Sequence, residues 1–306
     1  MSILVVGSVA FDSVKTPFGE VDEVLGGSAS YFSIAASFFS AVKLVAVVGK
    51  DFPAQHVKLF REFSVDTKGL QQVSGKTFRW RGEYGAALNE AKTLETQLNV
   101  FESFSPEIPK EYRDCQYVFL GNIDPVLQRK VLEQVNKPKF VACDTMDFWI
   151  SSKPDELKKT LALVDILIIN DSEARMLANQ ANLTKAARAI SAWGPKVVVV
   201  KKGEHGVVMF SDGTVFGAPA FPLEDVFDPT GAGDTFAGGF VGYLARAGSL
   251  DEKALRKAVI YGSVMASFNV EEFSLERLKT LKPPEIRERY RQFKELTHFE
   301  SDQSFV

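Results

Sequence analysis

The chain has 306 residues, 36 Lys and Arg against 39 Asp and Glu for a formal net charge of −3, and 45% hydrophobic residues. A slightly acidic balance argues against nucleic acid or a membrane surface as partner, because both need a basic excess. Two cysteines, Cys115 and Cys143, and three histidines, His56, His205 and His298, exclude a disulfide framework or a zinc knuckle and fit a reducing, cytoplasmic compartment.

The first residues lack a basic segment and a small-residue cleavage site, so no signal peptide is expected. Residues 3–6 form a continuous apolar run ending at Gly7, the pattern of a strand buried on both faces. Residues 15–24 alternate weakly around Pro17 and Gly19, as an exposed hairpin does. Residues 28–39 open after Gly26-Gly27 with Ser28 at the capping position and read as a buried helix. Residues 44–48 are a second buried strand, and 52–63 a helix with Val57, Leu59, Phe60 and Phe63 as its apolar positions. Residues 77–84 and 93–101 differ in kind. They are polar, β-prone and alternating, they lack a clear apolar face, and a Gly-Ala-Ala-Leu-Asn loop joins them; an exposed sheet outside the core is expected.

After Pro109 strands and helices alternate. Strands are predicted at 117–120, 140–142, 166–169, 197–200 and 207–210, with helices at 125–136, 155–163, 172–178 and 185–193. Such repeated units imply an α/β fold with a mainly parallel sheet covered on both faces. Long helices follow at 231–247 and 251–268, then a charged, exposed helix at 284–296. Without repeats or linkers, residues 1–306 read as a single domain with a small β-sheet appendage.

One motif stands apart: Asp228-Pro229-Thr230-Gly231-Ala232-Gly233-Asp234, between a strand end and a long helix. Its fixed positions would arise by chance with odds on the order of 10⁻⁵ at average residue usage. Gly231 and Gly233 remove side chains where a backbone approaches a ligand, and the N–H groups of Gly231, Ala232 and Gly233 would face outward at a helix start. Such a terminus binds anions. Asp234, inside that positive field, is placed to accept a proton from an attacking hydroxyl. The plainer alternative is a glycine turn capped by an aspartate.

This motif, followed by Thr235-Phe236, resembles the C-terminal signature of the PfkB family, the ribokinase-like sugar and nucleoside kinases. Further motifs fall in that family's order along nearly the whole chain. Gly7 with Asp12 resembles its substrate-binding aspartate, Gly26-Gly27 its N-terminal glycine pair, and Asn170-Asp171-Ser172-Glu173 its N-x-x-E motif. Lys202-Gly203-Glu204-His205-Gly206 is similar to the turn beside its nucleotide, and segments 14–24 and 77–101 to its β-sheet lid. Read alone, Glu173 serves equally as a helix-terminus charge, Lys201-Lys202 as a solvated pair, and His205 as a surface histidine.

The resemblance implies an ATP-dependent phosphotransferase acting on a hydroxymethyl group of a sugar, or of a nucleoside. Asp234 would be the base, with Gly231, Ala232 and Gly233 cradling the phosphoryl group. Asp12, Gly26, Gly27, Tyr31 and Asn122 would bind the acceptor. Asn170, Lys202, Gly203, Gly206, Thr230 and Ser263 would face the nucleotide, Glu173 would hold Mg²⁺ through water, and Asp228 with Thr230 would neighbour K⁺. Tyr31 stands where the family usually has Asn, and Ser263 near another such Asn, so the acceptor stays open between sugar and nucleoside. Tyr31 and the lid aromatics Phe78, Trp80 and Tyr84 tilt it toward a ring-bearing acceptor. The exposed lid edge points to a homodimer through the lid. The absence of G-x-G-x-x-G after the first strand argues against a dehydrogenase; a catalytically silent nucleotide binder on the same scaffold stays as an alternative, against which the intact base and anion loop speak.

Overall fold

In the computed structural model, which describes residues 2–89 and 91–300, the chain builds two sheets. β1 (Ser2–Val6) belongs to the larger, and the hairpin β2 (Ala10–Thr16) and β3 (Gly19–Gly26) to the smaller. α1 (Ser28–Ser37), β4 (Ala41–Gly49), α2 (Ala54–Glu62) and β5 (Val65–Val73) return to the large sheet, and β6 (Phe78–Tyr84) with β7 (Ala91–Gln97) complete the small one. The run β8 (Tyr117–Leu120), α3 (Pro125–Leu132), β9 (Phe140–Cys143), α4 (Asp147–Ser152), α5 (Pro154–Leu161), β10 (Ile166–Asn170), α6 (Asp171–Ala178), α7 (Leu183–Ser191) and β11 (Val197–Lys201) extends the large sheet. β12 (Val207–Ser211) and β13 (Thr214–Ala218) close its edge, and α8 (Ala232–Ala247), α9 (Glu252–Asn269), α10 (Glu276–Thr280) and α11 (Pro283–Leu296) follow.

The large sheet has the order β13-β12-β11-β10-β9-β8-β1-β4-β5. It is parallel from β11 to β5, and only the β11–β12 and β12–β13 pairings are antiparallel. Successive side chains on a strand face opposite ways, and β1 shows why its apolar run is unbroken. Ile3 and Val5 enter a core shared with Phe32 of α1, Phe240 of α8 and Val259 of α9. Leu4 and Val6 enter the other, with Val131 of α3, Leu157 of α5 and Ile190 of α7. Each of these four is fully buried, a contribution of about 1.5–3 kcal/mol per side chain. Among the described residues no helix is long and apolar enough to cross a membrane.

The small sheet has the order β3-β2-β6-β7, with β2 and β6 parallel. It corrects the sequence reading in three places. The hairpin begins at Ala10 rather than near residue 14, because β2 lies between β3 and β6 and its first five residues are buried. Residues 99–101 form a 3₁₀ turn, entered through Asn99 at φ 50°, so the last strand stops at Gln97. β6 does have an apolar face: Phe78, Trp80 and Tyr84 share one side, and Trp80 lies in register with Asp12 of β2.

β5, β13, α4 and α10 are additional elements. β5 and β13 are edge strands of the large sheet, and half-exposed strands such as Val65–Val73, with Thr67, Lys68, Gln71 and Gln72, carry no continuous apolar run. α11 is charged on its outer side, yet Ile286 and Phe293, two turns apart, are buried.

Candidate active site

Five parallel strands, β1, β8, β9, β10 and β11, end along one edge of the large sheet, where α/β sheets bind ligands. They deliver Ser8, Asn122, Asp144, Asn170 and Lys201 respectively. Gln128 of α3 ties two of these ends together, donating from Nε2 to the carbonyls of Gly121 at 3.0 Å and Asp144 at 3.1 Å.

The 228–234 loop is held from below. Asp228 is fully buried, and its two oxygens accept the N–H of Thr230 and of Ser274, each at 2.9 Å. Asn269, the last residue of α9, donates to the Thr230 carbonyl at 2.8 Å and accepts from the Thr235 hydroxyl at 3.0 Å. Gly231 then takes a left-handed φ of 74° and caps α8, a conformation that favours glycine. Its missing side chain leaves room for the Tyr31 ring. The N–H of Ala232 is already donated to the Pro229 carbonyl, at 3.1 Å. The cradle therefore narrows to the N–H groups of Gly231 and Gly233, which have no hydrogen bond in the described structure.

Asp234 sits in the first turn of α8, half exposed toward the cleft but deep enough that lost hydration raises its pKa to about 6. The Lys201 ammonium opposes that shift. Lys201 Nζ lies only 2.5 Å from where a Cβ on Gly233 would stand. Two more carboxylates lie within its field. Asp144 is pushed well above the usual carboxylate range by burial and by the Asp234 charge, and its Oδ1 has no hydrogen-bond partner. Glu173 is raised by burial, opposed first by Lys201. Asn170 and Glu173 form a capping box on α6: Asn170 Oδ1 accepts the Glu173 N–H at 2.8 Å, and Glu173 Oε2 accepts the Asn170 N–H at 3.0 Å. Glu173 is thus a helix cap whose charge also faces the site.

Across from the loop, Asp12 of β2 is 5% exposed and its pKa rises to about 7. Burial is the main cause; the Gly27 N–H opposes it, and the charges of Asp228 and Asp234 add to it. Gly26 has no space for a Cβ because the Asp12 carboxylate occupies that position. The glycine pair therefore seats the protein's own aspartate at the start of α1. From the small sheet, Tyr84 reaches the loop: the Thr230 hydroxyl donates to the Tyr84 oxygen at 3.2 Å. At the hairpin tip, Asn89 donates to Glu204 at 3.0 Å and packs on Gly203.

Four residues singled out in the sequence take other positions. Tyr31 is 1% exposed and forms a floor beneath Gly231 rather than a surface for a ligand. Asn122 is engaged at both ends, accepting from Trp149 Nε1 at 3.0 Å and donating to Met146 Sδ at 3.1 Å. Ser263 is half-buried on α9 without a hydrogen bond to this cluster. Lys202 starts a turn closed by left-handed Gly203 and Gly206 and makes no ion pair among the described residues. His205 is exposed in that turn. Sequence reasoning missed Asp144 and left Lys201 undecided. Both directly continue a buried parallel strand, and that position was the available signal.

The chain matches the model of the pfkB family of carbohydrate kinases over residues 2–279. It is 31% identical over 259 residues to the cytidine kinase of Thermococcus kodakarensis, covering 82% of this chain and 91% of that one. It is 34% identical over 259 residues to the ribokinase of Haemophilus influenzae, covering 80% of each. In fold it is similar to a putative ribokinase II of E. coli solved with ATP and Mg²⁺, with a TM-score of 0.78, 18% identity and coverage of 95% and 99%. The chain belongs to the pfkB family of carbohydrate kinases.

Proposed function

From that membership, an ATP- and Mg²⁺-dependent kinase of a sugar or nucleoside hydroxyl, we propose that the acceptor is a nucleoside, phosphorylated on the hydroxymethyl group of its ribose. The observation that carries the reading is a pair of carboxylates facing one cleft from different sheets. Asp234 stands beside the free N–H groups of the loop, and Asp12 stands on the small sheet in register with Trp80. Asp12, ionised, accepts hydrogen bonds from two ring hydroxyls and fixes the sugar. Trp80 and Tyr84 offer an aromatic face on which a base stacks. The cytidine kinase among the relatives agrees with that assignment.

Asp234 takes the proton of the acceptor hydroxyl as its oxygen bonds to the γ-phosphorus. The bond from that phosphorus to the bridging oxygen breaks, and its electron pair leaves with ADP. Gly231 and Gly233 donate to the phosphoryl oxygens, aided by the positive end of α8. Asp144 and Glu173 suit Mg²⁺, since Asp144 Oδ1 is a buried carboxylate oxygen without a protein donor and hard cations take oxygen ligands. When bound, Mg²⁺ neutralises phosphate charge. A monovalent cation beside Asp228 would share a carboxylate that already accepts two backbone N–H groups; rates in potassium and in choline chloride decide whether one is used.

The test is a panel of nucleosides and free sugars, read by ADP release. A nucleoside with kcat/KM about 10²-fold above ribose is expected. Equal or better turnover of a free sugar overturns the nucleoside assignment alone, and ADP release with no acceptor at all overturns the kinase site.

A further inference from the structure

Lys201 closes β11 in register with Asn170 at the end of β10, so both point the chain toward the same strand-end edge. Lys201 is half-buried, and its ammonium lies 2.5 Å from where a Cβ on Gly233 would stand, in space that any other side chain at 233 would fill. Asp234, Glu173 and Asp144 all feel its charge, from three separate elements. Yet among the described residues it makes no hydrogen bond and no ion pair. A lysine ammonium carries three donors, and here none is used.

The position is also unfavourable by itself. Gly233 lies in the first turn of α8, whose N-terminus carries partial positive charge and disfavours a cation. Three carboxylates offset that cost only at a distance. A group with unused donors, held beside free N–H groups in a positive field, is suited to one kind of ligand: an oxyanion that bridges them.

We propose that Lys201 is a catalytic residue that contacts the transferring phosphoryl group of ATP, donating to an oxygen that the Gly231 and Gly233 N–H groups also hold. The inference rests on the kinase reading of this site. Lys201 keeps its proton throughout. The acceptor proton goes to Asp234, the new bond joins the acceptor oxygen to phosphorus, and the old one breaks toward ADP. The ammonium stays with the phosphoryl group as it passes between the two oxygens, so its interaction is with ATP and with the transition state, and not with ADP.

Calorimetric titration of the full chain with ATP and with ADP in Mg²⁺, beside kcat on the preferred acceptor, separates the outcomes. Lys201→Met should weaken ATP binding about tenfold, leave ADP binding within about twofold, and lower kcat on the order of 10²-fold, as loss of one transition-state donor does. Lys201→Arg should recover part of kcat. Lys201→Gln, which stays polar but loses the charge, should behave like Met and serves if the Met variant does not fold. Unchanged ATP affinity with the acid limb of kcat displaced above pH 6 would mean that Lys201 acts only on Asp234, and overturns the proposal. Equal weakening of ATP and ADP overturns it as well. Wild-type protein that binds neither nucleotide would instead bring down the kinase reading itself.

Discussion

Along β1 residues 3–6 are buried without exception, whereas every residue of β7 on the small sheet is exposed. The large sheet, packed between two apolar cores, carries Lys201 and Asp144 at strand ends, and the helices on it carry Glu173 at the start of α6 and the loop at the start of α8. The small sheet carries Asp12, Trp80 and Tyr84 on strands that are also linked by ion pairs such as Lys92 with Glu83 at 3.0 Å and Arg81 with Asp22 at 2.7 Å. Polar contacts tie it to the large one: Arg79 to Asp51 at 2.9 Å, the Thr77 hydroxyl to Asp51 at 2.7 Å, Ser274 to the Leu25 carbonyl at 2.6 Å, Thr16 to the Phe227 carbonyl at 2.9 Å, Thr230 to Tyr84, and Asn89 to Glu204. On the proposed reading, phosphoryl chemistry rests on the half packed between two cores, where a misplaced base loses rate, and acceptor recognition on the half whose outer strand is exposed.

That division makes its sharpest claim at Asp234. Asp234→Asn should lower kcat by roughly 10²–10⁴ through loss of the base while ATP still binds, measured by ADP release and by calorimetry. Near-normal kcat would move the chemistry off the large sheet.

Next in size is Asp12→Asn, expected to lower kcat/KM for the acceptor by roughly 10²-fold, the loss of hydrogen bonds to a charged group, with ATP affinity unchanged. Its stability effect has the opposite sign. The Asp12 pKa rises from 3.8 to about 7 on folding, so the folded protein binds the proton more tightly than the unfolded chain. This group therefore lowers stability as pH rises from about 4 to 7, and its full cost remains above 7. The Asn variant should melt a few degrees above wild type at pH 8, with the gap narrowing toward pH 4. Wild-type kcat/KM should fall as pH drops through about 7, where Asp12 loses its charge.

A smaller effect is expected at the metal side. Glu173→Gln keeps the α6 cap, since Gln also serves at that position, but removes the charge. The Mg²⁺ concentration for half-maximal rate should rise about tenfold, and an unchanged titration would leave Glu173 as a cap alone. Smallest is Tyr84→Phe, which removes one neutral hydrogen bond between the sheets. A drop of about fivefold in kcat/KM is expected, near 1 kcal/mol; a drop as large as that of Asp12→Asn would mean that Tyr84 belongs to the chemistry and not to the tie.

Much of this molecule is legible in its sequence because its physics is local. A strand buried on both faces must be apolar throughout, so β1, β8, β10 and β11 stand out unaided. A left-handed cap needs glycine, so the 228–234 loop announces its shape, and bare N–H groups at a helix start suit the anion-binding use proposed for it. The capping box of Asn170 and Glu173 is likewise written in four consecutive residues. Edge strands such as β5 and β13 escape this reading because water satisfies one side of them and relaxes the pattern.

Only the tertiary structure decided which side chains fill the spaces that the glycines leave. Asp12 takes the place beside Gly26, the Tyr31 ring that beside Gly231, and the Lys201 ammonium that beside Gly233. Each partner comes from 14 to 200 residues away (Gly26 less Asp12; Gly231 less Tyr31), and no periodicity links them. The same holds for Asp144, an ordinary aspartate after a strand until β9, β10 and α8 bring it beside Glu173 and Asp234. Composition and spacing specify elements; the burial that raises these carboxylates and the cation that restrains them arise where the elements meet.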